Sequence, residues 1–270
     1  MTAILTWNIQ NGKGCDGVID LPRIARVIKA MGGADVICLQ EIARNDQAFD
    51  GGADQVAELA HLFNGFETVF GPALSRGERQ YGNLVLSRLP VLQAFNHLLP
   101  HPAEPGIKHM QRQAIEVVVQ TPGGPLRVMT THLEYYSAAH RAAHVERLRA
   151  IQREVAENEL RPAKPAASPY DAMPRPASLV LCGDFNLAPD DPQYAALFSE
   201  PLLDAWRQFR KGEPDPSSTG LFDRAQWPMG GHCRDYFAVT EDVAARIAGI
   251  EMDAATDASD HQPLRLVLRD

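Results

Sequence analysis

Short apolar runs, each closed by a single polar residue, dominate this chain and leave few folds open to it. Strand-like runs fall at 3–9, 35–40, 66–71, 82–87, 91–95, 113–120, 126–132, 178–182, 234–239, 246–251 and 264–268. Helical periodicity covers only 20–31, 53–63, 137–160 and 192–198. Asp20 before Leu21-Pro22 reads as an N-cap with proline in the first turn. Ser137 caps the longest helix, in which Val145, Leu148, Ile151 and Val155 recur at three- and four-residue steps and form one buried stripe. Many strands, fewer helices and an irregular alternation predict an α/β sandwich with a mixed or antiparallel core, and do not suit the regular rhythm of a barrel.

At 270 residues the chain is long enough for a substantial core. The segment 161–177, rich in proline and alanine, is the one linker-like stretch. Motifs of related type lie on both sides of it, so it is expected to be a surface loop within one domain spanning 1–270. No apolar run approaches the roughly 18 residues that a membrane span needs, and the chain enters a strand at Thr2-Ala3-Ile4 with no signal-peptide pattern. A cytoplasmic location, without stable membrane association, is the expectation. The four cysteines (Cys15, Cys38, Cys182, Cys233) include no CxxC pair and read as reduced thiols, two of them inside strands.

The formal net charge is −8, and arginines are dispersed. The densest group, Arg141, Arg147, Arg149 and Arg153, is interleaved with Glu146 and Glu154, the pattern of a solvated helix face. Such a chain lacks the basic stripe of a tight nucleic-acid binder. No protein partner is evident.

Candidate chemistry lies where polar residues interrupt apolar runs at strand ends. Leu181-Cys182-Gly183-Asp184-Phe185-Asn186 closes one strand with a carboxylate and an amide two residues apart, a spacing that aims both to one side. Ser259-Asp260-His261 sets a carboxylate beside an imidazole just before the last strand. Asn8 closes the first strand, Glu41 stands at the mouth of the second, Tyr81 and Asn83 precede Leu84-Val85-Leu86, His132 follows Thr130-Thr131, and Asp235 opens 236–239. Asn, Glu, His and Asp gathered at strand ends suit hard-cation binding and proton transfer.

In these motifs the sequence resembles the endonuclease/exonuclease/phosphatase superfamily, which includes deoxyribonuclease I, apurinic endonucleases, bacterial sphingomyelinases and inositol polyphosphate 5-phosphatases. The matching elements are Trp7-Asn8, Leu39-Gln40-Glu41, Tyr81-Gly82-Asn83 with Leu86-Ser87-Arg88, Thr131-His132-Leu133, Gly183-Asp184-Phe185-Asn186, Arg234-Asp235-Tyr236 and Ser259-Asp260-His261, in family order over the whole chain. The resemblance implies a four-layer α/β sandwich, two central mixed sheets flanked by helices, and divalent-metal phosphoesterase chemistry, usually with Mg²⁺ and with Mn²⁺ as a substitute.

A phosphoester repels an attacking hydroxide, and a bound Mg²⁺ offsets the charge that builds on phosphoryl oxygens. Glu41 and Asn8 are the expected ligands, with Asp260 at the same or a second ion. Asp184 is expected to orient or deprotonate water, with Asn186 fixing it. His261 is expected to bond Asp235, and either His261 or Asp184 serves as the base. Tyr81, Asn83 and His132 are expected to donate to phosphate, or His132 to protonate the leaving oxygen. Arg112 and Arg141 are candidates for steering substrate charge, as against surface ion pairs. The glycine-rich Asn11–Gly17 lacks a GK[ST] ending and reads as a loop. His140 and the remaining histidines read as structural. Apurinic endonucleases carry an Asn-containing segment where this chain has Thr131-His132-Leu133, which points away from that branch. The acidic balance favours a small or single-stranded phosphoester, with polynucleotide nuclease action as the rival. A non-catalytic module is disfavoured because every matching position holds a competent side chain.

Overall fold

The computed structural model describes the backbone of residues 1–270 and every side chain but that of Asp50. Two six-stranded mixed sheets form the centre. The first runs β11 (Ile247–Met252), β12 (Leu264–Leu268), β1 (Thr2–Asn8), β2 (Val36–Arg44), β4 (Arg79–Ser87), β3 (Glu67–Arg76). The second runs β5 (Val91–Leu98), β6 (Gln113–Thr121), β7 (Gly124–His132), β8 (Leu179–Asp184), β10 (Asp235–Thr240), β9 (Leu202–Asp204). Each contains one parallel pair, β1 with β2 and β7 with β8. A parallel pair needs a crossover, and helices α1 (Leu21–Ala30) and α3 (Ala138–Leu160) supply the two.

Alternation along the strands explains the layers. One face of each sheet supplies Ile4, Val36, Cys38, Val117, Val128, Val180, Cys182 and Phe237 to a core shared between the sheets. The opposite face of the first sheet packs Leu5, Trp7, Ile37 and Leu39 against Ile24 and Ile28 of α1 and Leu59 of α2 (Gln55–Leu62). The opposite face of the second packs Met129, Leu179 and Leu181 against Val145, Leu148 and Ile151 of α3 and Leu197 of α4 (Pro192–Leu197). The result is the expected four-layer sandwich. The Asp20 side chain accepts from Arg23 N at 2.8 Å, and Ser137 Oγ from His140 N at 2.9 Å, so both sequence-assigned caps form.

Several elements depart from expectation. β2 does not stop at Gln40 but runs to Arg44 through a bulge between Leu39 and Ile42, with Glu41 at φ +61°. The bulge turns the Glu41 side chain out of the alternation. β4 begins at Arg79 and so takes in Tyr81 as well as the expected 82–87, because the hairpin with β3 extends beyond the apolar segments. β9, α5 (Ala205–Phe209) and α6 (Glu241–Ala244) are too short to show a period. Residues 161–177 form an irregular exposed loop anchored at its end, where Arg175 reaches the second sheet.

That anchor belongs to a buried ion cluster the sequence did not disclose. Glu116 on β6 accepts from Arg127 Nε at 3.0 Å, Arg175 Nε at 2.7 Å and His97 Nε2 at 3.0 Å, and both Glu116 and Arg127 are fully buried. Arg127 Nη1 also donates to Gln152 of α3 at 2.8 Å, tying helix to sheet. Burial opposes the Glu116 charge, yet Arg175, His97 and Arg127 together hold its carboxyl below the ordinary 4.5. A depressed carboxyl contributes stability above its unfolded pKa and loses it as pH falls through the folded value. Arg127→Met is therefore expected to cost about 3–5 kcal/mol at pH 7 in urea unfolding. The difference from wild type should shrink below about pH 4, where the unfolded carboxyl takes up its proton. A cost under about 1 kcal/mol at pH 7 would show that the cluster is not structural.

Candidate active site

Strand register sets the first half of the site. β8 pairs with β7 so that Asp184 stands opposite His132, and with β10 so that Asp184 stands opposite Asp235. A histidine and two aspartates therefore form one row across three strands. Gly183 permits it: a Cβ there would lie 1.9 Å from Thr131 O, and its φ is +137°. The other sheet contributes Asn8 at the end of β1 and Glu41 from the bulge. Asn8 Nδ2 donates to Glu41 Oε1 and Asp184 Oδ2, both at 3.0 Å, and so joins the two sheets at the site. Its amide oxygen accepts from Gln10 N at 3.1 Å, so Asn8 holds two carboxylates together here and does not aim its oxygen at them, unlike the ligand expected from sequence.

The Ser259–His261 segment is held from three sides. Ser259 Oγ donates to Asn8 O at 2.8 Å, Trp7 Nε1 to His261 O at 2.8 Å, and Thr219 Oγ1 to Asp260 O at 2.9 Å. This places His261 Nδ1 2.8 Å from Asp235 Oδ2 and His261 Nε2 3.6 Å from Asp184 Oδ2. Ser218 Oγ also donates to Asp235 Oδ2, at 2.7 Å. A carboxylate only accepts here, so Nδ1 carries hydrogen and Nε2 faces Asp184. His132 Nε2 lies 3.4 Å from the same Asp184 oxygen, and His132 Nδ1 3.8 Å from Glu41.

Asn186 reaches the site by a route that period-two spacing does not describe. It lies beyond β8 with φ +51°, its N donates to Asp184 Oδ1 at 2.9 Å, and its Nδ2 donates to Leu133 O at 3.1 Å. A left-handed turn, not strand alternation, brings it alongside Asp184.

These groups face a cavity of about 510 Å³, lined by Glu41, Tyr81, Arg112, His132, Asp184, Asn186, Asp260 and His261 among others. Asn8 and Asp235 sit behind it, and Asn83 lines a small recess with Tyr81, Arg112 and His132. Arg112 is buried and paired with Glu134 Oε2 at 3.2 Å. Arg141 does not line the cavity: its Nη1 donates to the carbonyls of Glu134 and Tyr135 at 3.0 and 2.7 Å, so it braces the loop after β7. Sequence reasoning missed Tyr135, Tyr136 and Trp227 on the cavity's wall, with Tyr135 and Trp227 edge to face at 6.0 Å. The adjacent tyrosines three and four residues after His132 were a usable signal; Trp227, in an irregular loop, had none.

Burial and crowding of charge govern the titrations. Burial, with Asp235 nearby, pushes Asp184 up to about 6 against the pull of His261 and Asn8. Burial, with Asp260 and Asp184, also raises Glu41. Burial works against a charged His261, but Asp235 and Asp184 raise it well above the ordinary histidine value. His132 is driven well below that value by burial and by the Arg112 and His261 charges. Burial and the Glu41 charge keep the Tyr81 phenol protonated. At neutral pH the site thus holds an imidazolium at His261, a neutral imidazole at His132 and a carboxylate at Asp184. Asp184, Asp235 and His261 offer ligand atoms within 4.8 Å of one another, a set able to take a divalent ion or relay a proton.

Compared with known families, residues 5–261 match the model of the endonuclease/exonuclease/phosphatase family. The chain belongs to that family. Its members are metal-dependent phosphoesterases. A family member from Beutenbergia cavernae DSM 12333 is 28% identical with a TM-score of 0.69, over 98% of this chain and 70% of that one. The Neisseria 3′ phosphatase NExo, solved as a point variant bound to a product DNA hairpin, is 20% identical with a TM-score of 0.67, over the full length of both chains. The mannosyl-6-phosphatase Bt3783 of Bacteroides thetaiotaomicron VPI-5482 is 13% identical with a TM-score of 0.66, again over both full chains. Comparison with curated proteins gave no match. Among the described residues, no helix is long and apolar enough to cross a membrane.

The close approach of β7 and β8 makes Gly183 a direct test of how the row is held. Gly183→Ala is expected to lower stability by about 3 kcal/mol or more in urea unfolding, because both the contact and the φ value oppose a Cβ. Wild-type stability in that variant would show that the strands are not constrained as described.

Proposed function

We propose that this protein is a divalent-metal-dependent hydrolase of small or exposed phosphoesters. The observation that carries the reading is the joining of Asp184 to both His261 and His132, with the Asp235 carboxylate behind His261 and Glu41 and Asp260 on the same cavity.

The donor set fits a hard dication. Glu41 is raised by Asp260 and Asp184 as well as by burial, so carboxylates are crowded beyond what Arg112, paired with Glu134, can balance. Glu41 and Asp260 would hold an ion of the magnesium class. Asn8 would join them only by turning its amide, which would give up its bonds to Gln10, Glu41 and Asp184. When bound, such an ion offsets charge on the phosphoryl oxygens and acidifies bound water. Asp184, a carboxylate at neutral pH with its value near 6, is suited to take the proton of an attacking water. Asn8 and the Asn186 N–H fix its two oxygens for that task. His261, kept cationic by Asp235, donates from Nε2 towards the phosphoryl group. Tyr81 and Arg112 add donors to the lining, while neutral His132 is free to donate without adding a charge.

Two features favour a small or frayed substrate. Lys108 and Arg112 are the cavity's lysine and arginine, the Arg112 charge is offset by its pair with Glu134, and the lining also carries Glu41, Glu134, Asp184 and Asp260. Arg76, Arg79 and Arg224, which a basic groove would recruit, are not among the lining residues. Tyr135, Tyr136 and Trp227 instead line the cavity with aromatic rings suited to a sugar or an unstacked base. These rings also support a second reading, action at an exposed single-stranded nucleic-acid end.

Hydrolysis of bis-p-nitrophenyl phosphate with Mg²⁺ tests the assignment of groups. Glu41→Ala is expected to lose most EDTA-sensitive turnover with an unchanged melting temperature, and Asp184→Asn and His261→Ala each to lose about a hundredfold or more. Wild-type turnover should fall as pH drops through about 6, as Asp184 takes up a proton. Full EDTA-sensitive activity in Glu41→Ala, or near-normal rates in both other variants, would overturn the scheme. For substrate class, undamaged duplex DNA is expected to bind Asp184→Asn weakly at physiological salt in gel shifts. Submicromolar binding with a steep salt dependence would favour a duplex nuclease.

A further inference from the structure

A second cluster of ring nitrogens lies outside the phosphoesterase site. His101 and His109 come from the loop between β5 and β6, and His140 from the first turn of α3. Their ring centroids are 4.6 Å apart for His101–His109, 4.5 Å for His109–His140 and 5.1 Å for His101–His140. One ligand nitrogen from each falls within 4.8 Å of the others.

The hydrogen bonding of His140 decides which of its nitrogens is free to ligate. Its Nε2 lies 2.8 Å from Pro102 O, and a carbonyl only accepts, so that nitrogen bears the hydrogen. In the neutral ring Nδ1 is then left with a free lone pair. His140 is fully buried, and Nδ1 is buried without any partner. Nδ1 of His109 is buried and unpartnered as well. Two buried imidazole nitrogens without partners cost desolvation that the ring contacts do not return. Glu104 Oε2, 4.0 Å from His140 Nε2 and bonded to Ser137 Oγ, backs the ring on its hydrogen-bearing side, as carboxylates and carbonyls do behind metal-bound histidines.

We propose that His101, His109 and His140 bind a borderline transition-metal dication of the zinc class, clamping the β5–β6 loop to the start of α3. Three imidazoles suit zinc, cobalt, nickel or copper, and not magnesium, which requires oxygen ligands. The clamp has a consequence for the cavity. His109 lines it, as do Lys108, Met110 and Arg112 from the same loop, so an ion on the three histidines would fix one wall of the substrate site. It is a different centre from Asp184, Asp235 and His261, and it stands whether or not the phosphoesterase reading does.

Cobalt titration of the metal-free full-length chain in excess Mg²⁺ tests this, with Co²⁺ as a spectroscopic stand-in for Zn²⁺. Visible d–d bands saturating at about one equivalent, and displaced by Zn²⁺, are expected for the wild type. The bands should vanish in His101→Ala and His109→Ala, whose side chains are exposed and half-buried, and persist in His261→Ala. Zn²⁺ should also slow proteolytic cleavage within 100–111 in the wild type and not in His101→Ala. Absence of bands in the wild type, their survival in both loop variants, or their loss in His261→Ala alone would overturn the proposal.

Discussion

Strand β8 lies between a parallel neighbour and an antiparallel one, and the geometry of the site follows from that pairing. Because β7 and β8 run the same way, His132 and Asp184 end their strands side by side, and because β10 runs the opposite way, Asp235 begins where Asp184 ends. Backbone hydrogen bonds that stabilise the sheet thereby fix the row of side chains, with no separate device needed to align them. The strands approach closely only because residue 183 has no side chain. Asn8 then carries the row across to the other sheet through Glu41 and Asp184.

Electrostatics follows from that geometry. Burying several carboxylates at the meeting point of two sheets raises Glu41 and Asp184, while the same carboxylates hold a proton on His261. A few ångströms away His132 is pushed the other way by burial and by Arg112. Groups of the same chemical type are thus divided into different protonation states by their surroundings, the arrangement that proton transfer near neutral pH requires. The Glu116–Arg127–Arg175 cluster is the structural counterpart. There Arg127 and Arg175 both bond the Glu116 carboxylate, and opposite charges are paired.

Loops complete the cavity that the strand ends begin. The loop before β6 brings Lys108 to Arg112, the loop after β7 brings Glu134 to Tyr136, and the loop before β10 brings Gln226 and Trp227. Arg141 supports the second of these from α3, and the histidine cluster ties the first to the same helix. Helix α3 therefore does more than cross over between β7 and β8: its first turn holds the two loops that shape the entrance.

The sandwich, the two long helices and most residues of the candidate site were legible in the chain itself, because apolar alternation survives in any context and polar residues that close apolar runs stand out against it. Asp184, His132, Asp235 and His261 could be found for that reason. Asn186 was legible as a residue but not as a geometry, since a left-handed turn leaves no mark in hydrophobic spacing. Glu41 was placed at a strand end, whereas the structure carries β2 past it through a bulge, a matter of pairing with β4. Arg141 resembled a substrate ligand because charge alone does not reveal that two carbonyls lie within its reach. The burial of Arg127 with Glu116, the ring wall at Tyr135 and Trp227, and the meeting of His101 and His109 with His140 were settled only when the elements packed together. Each joins residues from separate elements, and a one-dimensional pattern reports which face a residue takes, not what the opposing element will bring to it.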